Sequence, residues 1–310
     1  MQMNRILIFL VIGITFASCK QGNEEKAGQT TRETEFKKVV RDDYQLYKPA
    51  SEIKAVLILF GGYPEDAEGI KREFPILEDA RNNSIAVIMS NYNQKLWLEE
   101  NEKRQLATSL QDIFEEHHLP SENVVVGGYS SGGVVSLLIS DFIIGHKQFY
   151  IDPKGVFIVD SPIDLEVLYR TAEKNIERDF SEPSIQESTW LLKELGSGLG
   201  NPDEHIENYE QSSIYTYSTG NISNLKKLKK TKIRLYTEPD TLWWQENRMA
   251  SYDETNAFYI QDLHRILTQQ GYNKVEYIPT VDKGYRANGM RHPHSWSIVD
   301  KADLIDWILN

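Results

Sequence analysis

The feature that most constrains this chain is a run of small residues, Gly127-Gly128-Tyr129-Ser130-Ser131-Gly132-Gly133. Before it stands Asn123-Val-Val-Val126, a β-branched run that reads as a buried strand. After it, residues 134–144 are apolar nearly all round, the pattern of a helix with no solvent face. Passing from strand to helix within so few residues reverses the chain sharply. The corner residue is forced into a strained backbone region, and small residues are needed two positions to either side. Gly128-x-Ser130-x-Gly132 meets both demands, and the corner hydroxyl then stands exposed at a helix N-terminus. Ser131 does not fit the spacing, because Tyr129 lies two positions before it. A phosphate-binding loop is a poorer reading: the Gly-Lys-Ser/Thr ending and the full G-x-G-x-x-G fingerprint are both missing.

Further strand-length apolar runs occupy residues 55–60, 85–89, 155–159, 232–236 and 275–278, and residues 44–47 read as an edge strand. Helical spacing is predicted over 67–81, 96–117, 255–270 and 302–309, with Pro75 kinking the first or starting a second helix. Short continuous apolar strands joined by helices predict an α/β fold, a mainly parallel doubly wound sheet covered on both faces. With 26% charged and 40% hydrophobic residues, collagen-like, disordered and coiled-coil classes are excluded. The stretch from about 162 to 230 interrupts the alternation. Its helical pieces, 165–178 and 187–195, and the polar loop 196–208 predict an inserted helical cap over the carboxyl edge of the sheet. Lys226, Lys227, Lys229 and Lys230 lie in it, read as a solvated face with anion binding as the alternative.

The formal charge of −12 argues against nucleic acid as a partner, since such binding needs basic surface to replace counterions. One cysteine, Cys19, excludes an intrachain disulfide and a Cys-based zinc site. It follows the apolar run 6–16, which has the length of a signal-peptide core and is too short to span a bilayer. Ala17-Ser18-Cys19 resembles a bacterial lipobox, with Phe16 where leucine is usual. That resemblance implies a signal peptide over 1–18, lipidation at Cys19, and a chain lipid-anchored to a membrane of the bacterial cell envelope. Residues 19–35 read as a flexible tether and 36–310 as the folded domain.

From about residue 44 to its end the chain resembles the α/β-hydrolase fold, on three features: an elbow serine after the fifth strand, acids after late strands, and histidines near the C-terminus. The resemblance implies Ser130 as nucleophile. It implies a base in the loop after the last strand. His294, in a His-Ser-Trp arrangement similar to many esterases of this fold, is favoured over His292, whose backbone Pro293 restricts. The expected acid is Asp240, with Glu238 and Asp160 as alternatives. Asp160 could instead organise the turn into Pro162. The expected oxyanion donors are the amides of Ser131 and of Gly62 or Tyr63. Gly61-Gly62-Tyr63 looks like a reduced His-Gly-Gly-Gly loop with Phe60 in place of the histidine. Trp243 and Trp244 read as packing residues or as an aromatic wall of the site. No metal motif is present and no cofactor is expected. The implied activity is a serine hydrolase that cleaves a small-molecule or carbohydrate carboxylic ester through an acyl-enzyme. A peptidase of the same fold and a non-catalytic envelope binding lipoprotein are the alternatives.

Overall fold

A computed structural model describes residues 36–310 except Asn93. The expected signal peptide, Cys19 and the tether lie outside the described residues.

Alternation along single strands sets the architecture. In β3 (Ala55–Phe60) every residue is buried, with Val56, Ile58 and Phe60 in one apolar core and Ala55, Leu57 and Leu59 in another. β4 (Ile85–Ser90) and β5 (Val124–Tyr129) divide in the same way. Strands apolar on both sides need cover on both faces. One face is covered by α3 (Glu100–His117), α4 (Ser131–Gly145) and α9 (Asn256–Gln269). The other is covered by α1 (Ala67–Glu73), α2 (Leu77–Asn82) and α10 (Lys301–Leu309). α4 is apolar all round because it lies against the sheet, against α3 and against a 3-10 segment, Ser223–Lys230. In that segment Leu225 and Leu228 turn inward, while Lys226, Lys227, Lys229 and Lys230 stay exposed.

The remaining strands are β1 (Phe36–Val40), β2 (Tyr44–Pro49), β6 (Pro153–Val159), β7 (Lys232–Thr237) and β8 (Val275–Pro279). All eight form one sheet in the order β1-β2-β4-β3-β5-β6-β7-β8. β1 and β2 run antiparallel, as do β2 and β4, and every other pair is parallel. The sheet is thus mainly parallel, as the sequence predicts. The stretch 44–47 is not an edge strand, because β1 pairs along its outer side. Lys37 and Lys38 make β1 read as polar, and exposed lysines are what a protected sheet edge carries.

Helix bounds differ from expectation where local chemistry intervenes. The predicted helix 67–81 is two helices, separated at Pro75. α3 begins at Glu100 rather than 96, because Glu99 and Glu102 form a reciprocal capping box. Between β6 and β7 come α5 (Leu165–Arg178), α6 (Glu182–Leu199) and α7 (Ile206–Ser212). Much of the stretch read as the polar loop 196–208 is therefore helical. These helices enclose a separate small core of Leu165, Ala172, Leu191, Leu195, Leu199 and Tyr209, joined by Leu96.

β5 and β6 meet where a glycine faces an aromatic ring. A Cβ on Gly127 would lie 2.1 Å from two ring carbons of Phe157, which is wholly buried against Tyr236. Gly127→Ala is expected to cost about 1–3 kcal/mol through overpacking. Urea denaturation checks this, with Phe157→Leu recovering part of the loss in the Gly127→Ala background. A Gly127→Ala protein as stable as wild type contradicts it.

Candidate active site

Three backbones converge at the carboxyl ends of β3 and β5. A Cβ on Gly128 would fall 2.1 Å from the carbonyl oxygen of Gly132, and one on Gly132 would fall 2.3 Å from that of Phe60. One on Gly62 would stand 2.9 Å from Cβ of Ser130. Only glycine fits these positions without moving backbone or the serine. Ser130 itself takes φ 53° and ψ −128°, a conformation that L-residues rarely adopt. Its N–H donates to Val159 O at 2.9 Å and its carbonyl accepts from Gly133 N–H at 3.0 Å, so the corner is tied to both β6 and α4.

The register that pairs Tyr129 with Val159 sets Ser130 beside Asp160, the residue after β6. Asp160 also has positive φ (46°), and its N–H donates to Tyr236 O at 2.9 Å. Its Oδ1 accepts from Thr237 Oγ1 at 2.8 Å, and its Oδ2 lies 2.6 Å from His294 Nδ1. His294 comes from the long connection between β8 and α10. Tyr129 fastens it: the phenol donates to His294 O at 3.0 Å, and the two rings lie 4.6 Å apart. With Nδ1 facing a carboxylate, Nε2 is the ring nitrogen left for chemistry.

The structure does not bring Asp240 to the imidazole. Asp240 caps α8 (Thr241–Arg248), its Oδ1 accepting from Trp243 N–H at 3.0 Å, and its Oδ2 takes Arg291 at 2.6 Å. Arg291 thus captures the carboxylate that the sequence favoured as the acid. Glu238 is engaged elsewhere as well. It accepts from Thr280 Oγ1 and from the N–H groups of Lys283 and Gly284 at 2.9–3.0 Å, and pairs with Arg291 at 2.5 Å. It thereby fixes the turn after β8. Of the three candidate acids, Asp160 is the one in contact with a histidine.

His292 holds no carboxylate. Its ring lies 4.6 Å from that of Trp243, 6.1 Å from that of Trp244 and 6.2 Å from that of His294. Nδ1 is buried without a hydrogen-bond partner. Burial, then the neighbouring His294 and two arginines, push its pKa down to about 3. Trp243 and Trp244 stand edge to face beside it.

Ser130, His292 and His294 line a cleft of about 320 Å³, walled by α5 and α6 through Leu168, Ala172, Trp190 and Leu191, and by Trp244. On the oxyanion side, Ser131 is the first residue of α4, and a first-turn N–H has no acceptor inside its helix. Gly62 lies against the serine, as noted. The N–H of Tyr63 donates to Ser131 Oγ at 3.0 Å, and the Tyr63 ring stacks on Trp190 of α6 at 4.6 Å. Glu65, two residues on, receives Trp296 Nε1–H at 2.9 Å, and burial raises its pKa. The contacts of Tyr129 and Trp190 were not visible in the sequence: one is the variable position of the elbow motif, the other one of several aromatics between β6 and β7.

No protein-family model and no curated protein matches this chain. Solved structures do. A putative esterase from Staphylococcus aureus is 14% identical with a TM-score of 0.50, over 89% of this chain and 81% of that one. Carboxyl esterase 2 from the mycorrhizal fungus Tuber melanosporum is 17% identical with a TM-score of 0.52, over 90% and 87%. The Francisella virulence factor BioJ is 14% identical with a TM-score of 0.50, over 89% and 84%. At such identities the likeness speaks for the fold. With the strand order above, it shows that this chain has the α/β-hydrolase fold.

His292 gives a pH prediction. Its folded pKa is depressed, so below the ordinary histidine range the unfolded chain binds a proton that the folded chain refuses. Its contribution to stability is full above about pH 6.5. It is lost as pH falls toward the folded value of about 3. Thermal melts from pH 7 to pH 4 are expected to show a shallower loss of Tm for His292→Gln than for wild type. Parallel curves would contradict this.

Proposed function

We propose that this protein is a serine hydrolase that cleaves a carboxylic ester. The observation that carries the reading is the 2.6 Å contact between His294 Nδ1 and Asp160 Oδ2, set beside a strained Ser130 in a shared cleft. In this reading His294 Nε2 takes the Ser130 proton as Oγ attacks the ester carbonyl carbon. The carbonyl π pair moves to oxygen, giving a tetrahedral oxyanion. The N–H groups of Ser131 and Gly62 receive that charge. On collapse the C–O bond to the alcohol breaks and the alcohol leaves with the proton from His294. Water then attacks the acyl-enzyme, losing its proton to His294, and Ser130 recovers its proton as the acid departs. Asp160 holds the imidazole in the required tautomer and stabilises its cation, the part that the family resemblance assigned first to Asp240.

One observation favours a second reading, a binding protein without turnover. The Tyr63 N–H, one of the expected oxyanion donors, is engaged by Ser131 Oγ. Reaction with a fluorophosphonate probe and hydrolysis of 4-nitrophenyl butyrate separate the two. The hydrolase labels at Ser130 and turns over the ester. Ser130→Ala and Asp160→Asn each lower turnover by about 10³–10⁴-fold, whereas Asp240→Asn lowers it by less than about tenfold. A folded wild type without adduct supports the binder, and a greater loss in Asp240→Asn than in Asp160→Asn overturns the assignment of the acid.

We further propose that the protein is a lipoprotein of the bacterial cell envelope, held by acyl chains on Cys19. The support is the lipobox-like Ala17-Ser18-Cys19 directly after the apolar run. One chain anchors weakly and two or more hold firmly. Metabolic labelling with a fatty-acid analogue is expected to mark wild type and spare Cys19→Ala. Equal labelling of both refutes the anchor.

A further inference from the structure

Charges around the cleft are unevenly compensated. Two arginines line it together with Ser130 and His294: Arg248, the last residue of α8, and Arg286, from the connection after β8. Both are half-buried, and no carboxylate lies within ion-pair distance of either guanidinium among the described residues. Several other arginines of the fold are neutralised, although Arg81 of α2 likewise has no carboxylate within ion-pair distance among the described residues. Arg178 is paired with Glu254, Arg234 with Glu276 and Asp303, and Arg291 with Glu238 and Asp240.

The acidic side of the same cleft is small. Glu254 faces it, but Arg178 and Lys174 already hold that carboxylate. Glu187, on the exposed face of α6, is the one remaining carboxylate among the lining residues. The histidine beside the arginines adds no positive charge of its own near neutral pH, because His292 is kept uncharged.

Arg286 stands close to the chemistry, and the charges of both arginines are felt at His292. The Arg286 guanidinium lies 5.6 Å over the ring of Tyr129, the residue that precedes Ser130 and holds the His294 carbonyl. Arg286 also borders a second opening shared with Ser130 and His294, where Glu65, Asp66, Glu73 and Glu187 supply an acidic lining and Glu65 feels the Arg286 charge from beyond ion-pair distance. A guanidinium presents a fork of donors that matches a carboxylate, and such pairs strengthen where water is partly excluded. Two arginines without an ion-pair partner, in a cleft lined by Leu168, Leu191 and Trp244 together with neutral polar groups such as Asn175 and Ser188, suit a ligand that brings its own negative charge.

We infer that the cleft selects esters bearing a free carboxylate, which Arg248 and Arg286 bind. This rests on the hydrolase reading only for turnover; the anion site itself is testable without it.

Binding is measured by calorimetry on the Ser130→Ala protein with two matched pairs of probes. Monomethyl and dimethyl glutarate differ by a charge in the acyl part, and acetoxyacetate and methyl acetoxyacetate differ by a charge in the alcohol part. In at least one pair the charged member is expected to bind about tenfold or more tighter than its neutral partner. Arg248→Gln and Arg286→Gln should each reduce that ratio by about fivefold or more, and the double variant should bring it near one. A ratio near one in both pairs, or a preference that survives in the double variant, overturns the inference. Hydrolysis by the wild type is read separately. Charged esters bound but never cleaved would leave the anion site standing and remove the hydrolase reading. Cleavage of neutral esters with no binding preference would do the reverse.

Discussion

Everything at the carboxyl edge of this sheet depends on how closely β3, β5 and the start of α4 approach one another. The distances from virtual Cβ atoms on Gly128 and Gly132 to neighbouring carbonyl oxygens, 2.1 and 2.3 Å, leave no space for any side chain. The same approach forces Ser130 to positive φ, and such a conformation costs on the order of 1–3 kcal/mol. The cost is met by the surroundings: the Ser130 amide continues the ladder to β6, and α4 is buried on all sides. A serine on a looser turn would keep its hydroxyl but lose its aim. Here the aim is a property of the whole sheet–helix contact.

The neighbouring strand repeats the device. Asp160 turns out of β6 with φ 46°, one strand over from Ser130 with φ 53°. Both residues continue the parallel ladder through their N–H groups before the chain leaves it. Two corner residues on adjacent strands therefore stand side by side with no loop between them to flex. Asp240 follows a different strand by three residues and starts a helix, so its carboxylate is spent on the helix N-terminus and on Arg291. The carboxylate nearest Ser130 in the sheet is also the one left available to an imidazole.

That contrast explains what was legible in the sequence. The elbow was, because glycine spacing and flanking apolar runs reflect steric demands local to a dozen residues. The mainly parallel sheet was, because β3, β4 and β5 carry apolar residues on both faces. The carboxylate that meets His294 was harder: choosing between Asp160 and Asp240 depends on which of them finds Arg291, a residue 51 positions beyond Asp240, and no local pattern records that pairing. The edge strand β1 was hidden by its own lysines. The loop 196–208 concealed the start of α7 because Tyr209 is the one fully buried residue of that helix, with Ile206 only partly buried against the same core.

Net charge was the least informative guide to the cleft. A chain with 46 acidic against 34 basic residues suggests acidic surroundings throughout. Most carboxylates near the site are instead absorbed by structure, Glu187 excepted: Glu238 and Asp240 by Arg291, Glu254 by Arg178 and Lys174, and Asp160 by Thr237 and His294. Each such pairing shortens the reach of the charge it neutralises. What a ligand meets in the cleft is set by the groups left over, and a sum over the whole chain carries no information about which groups those are.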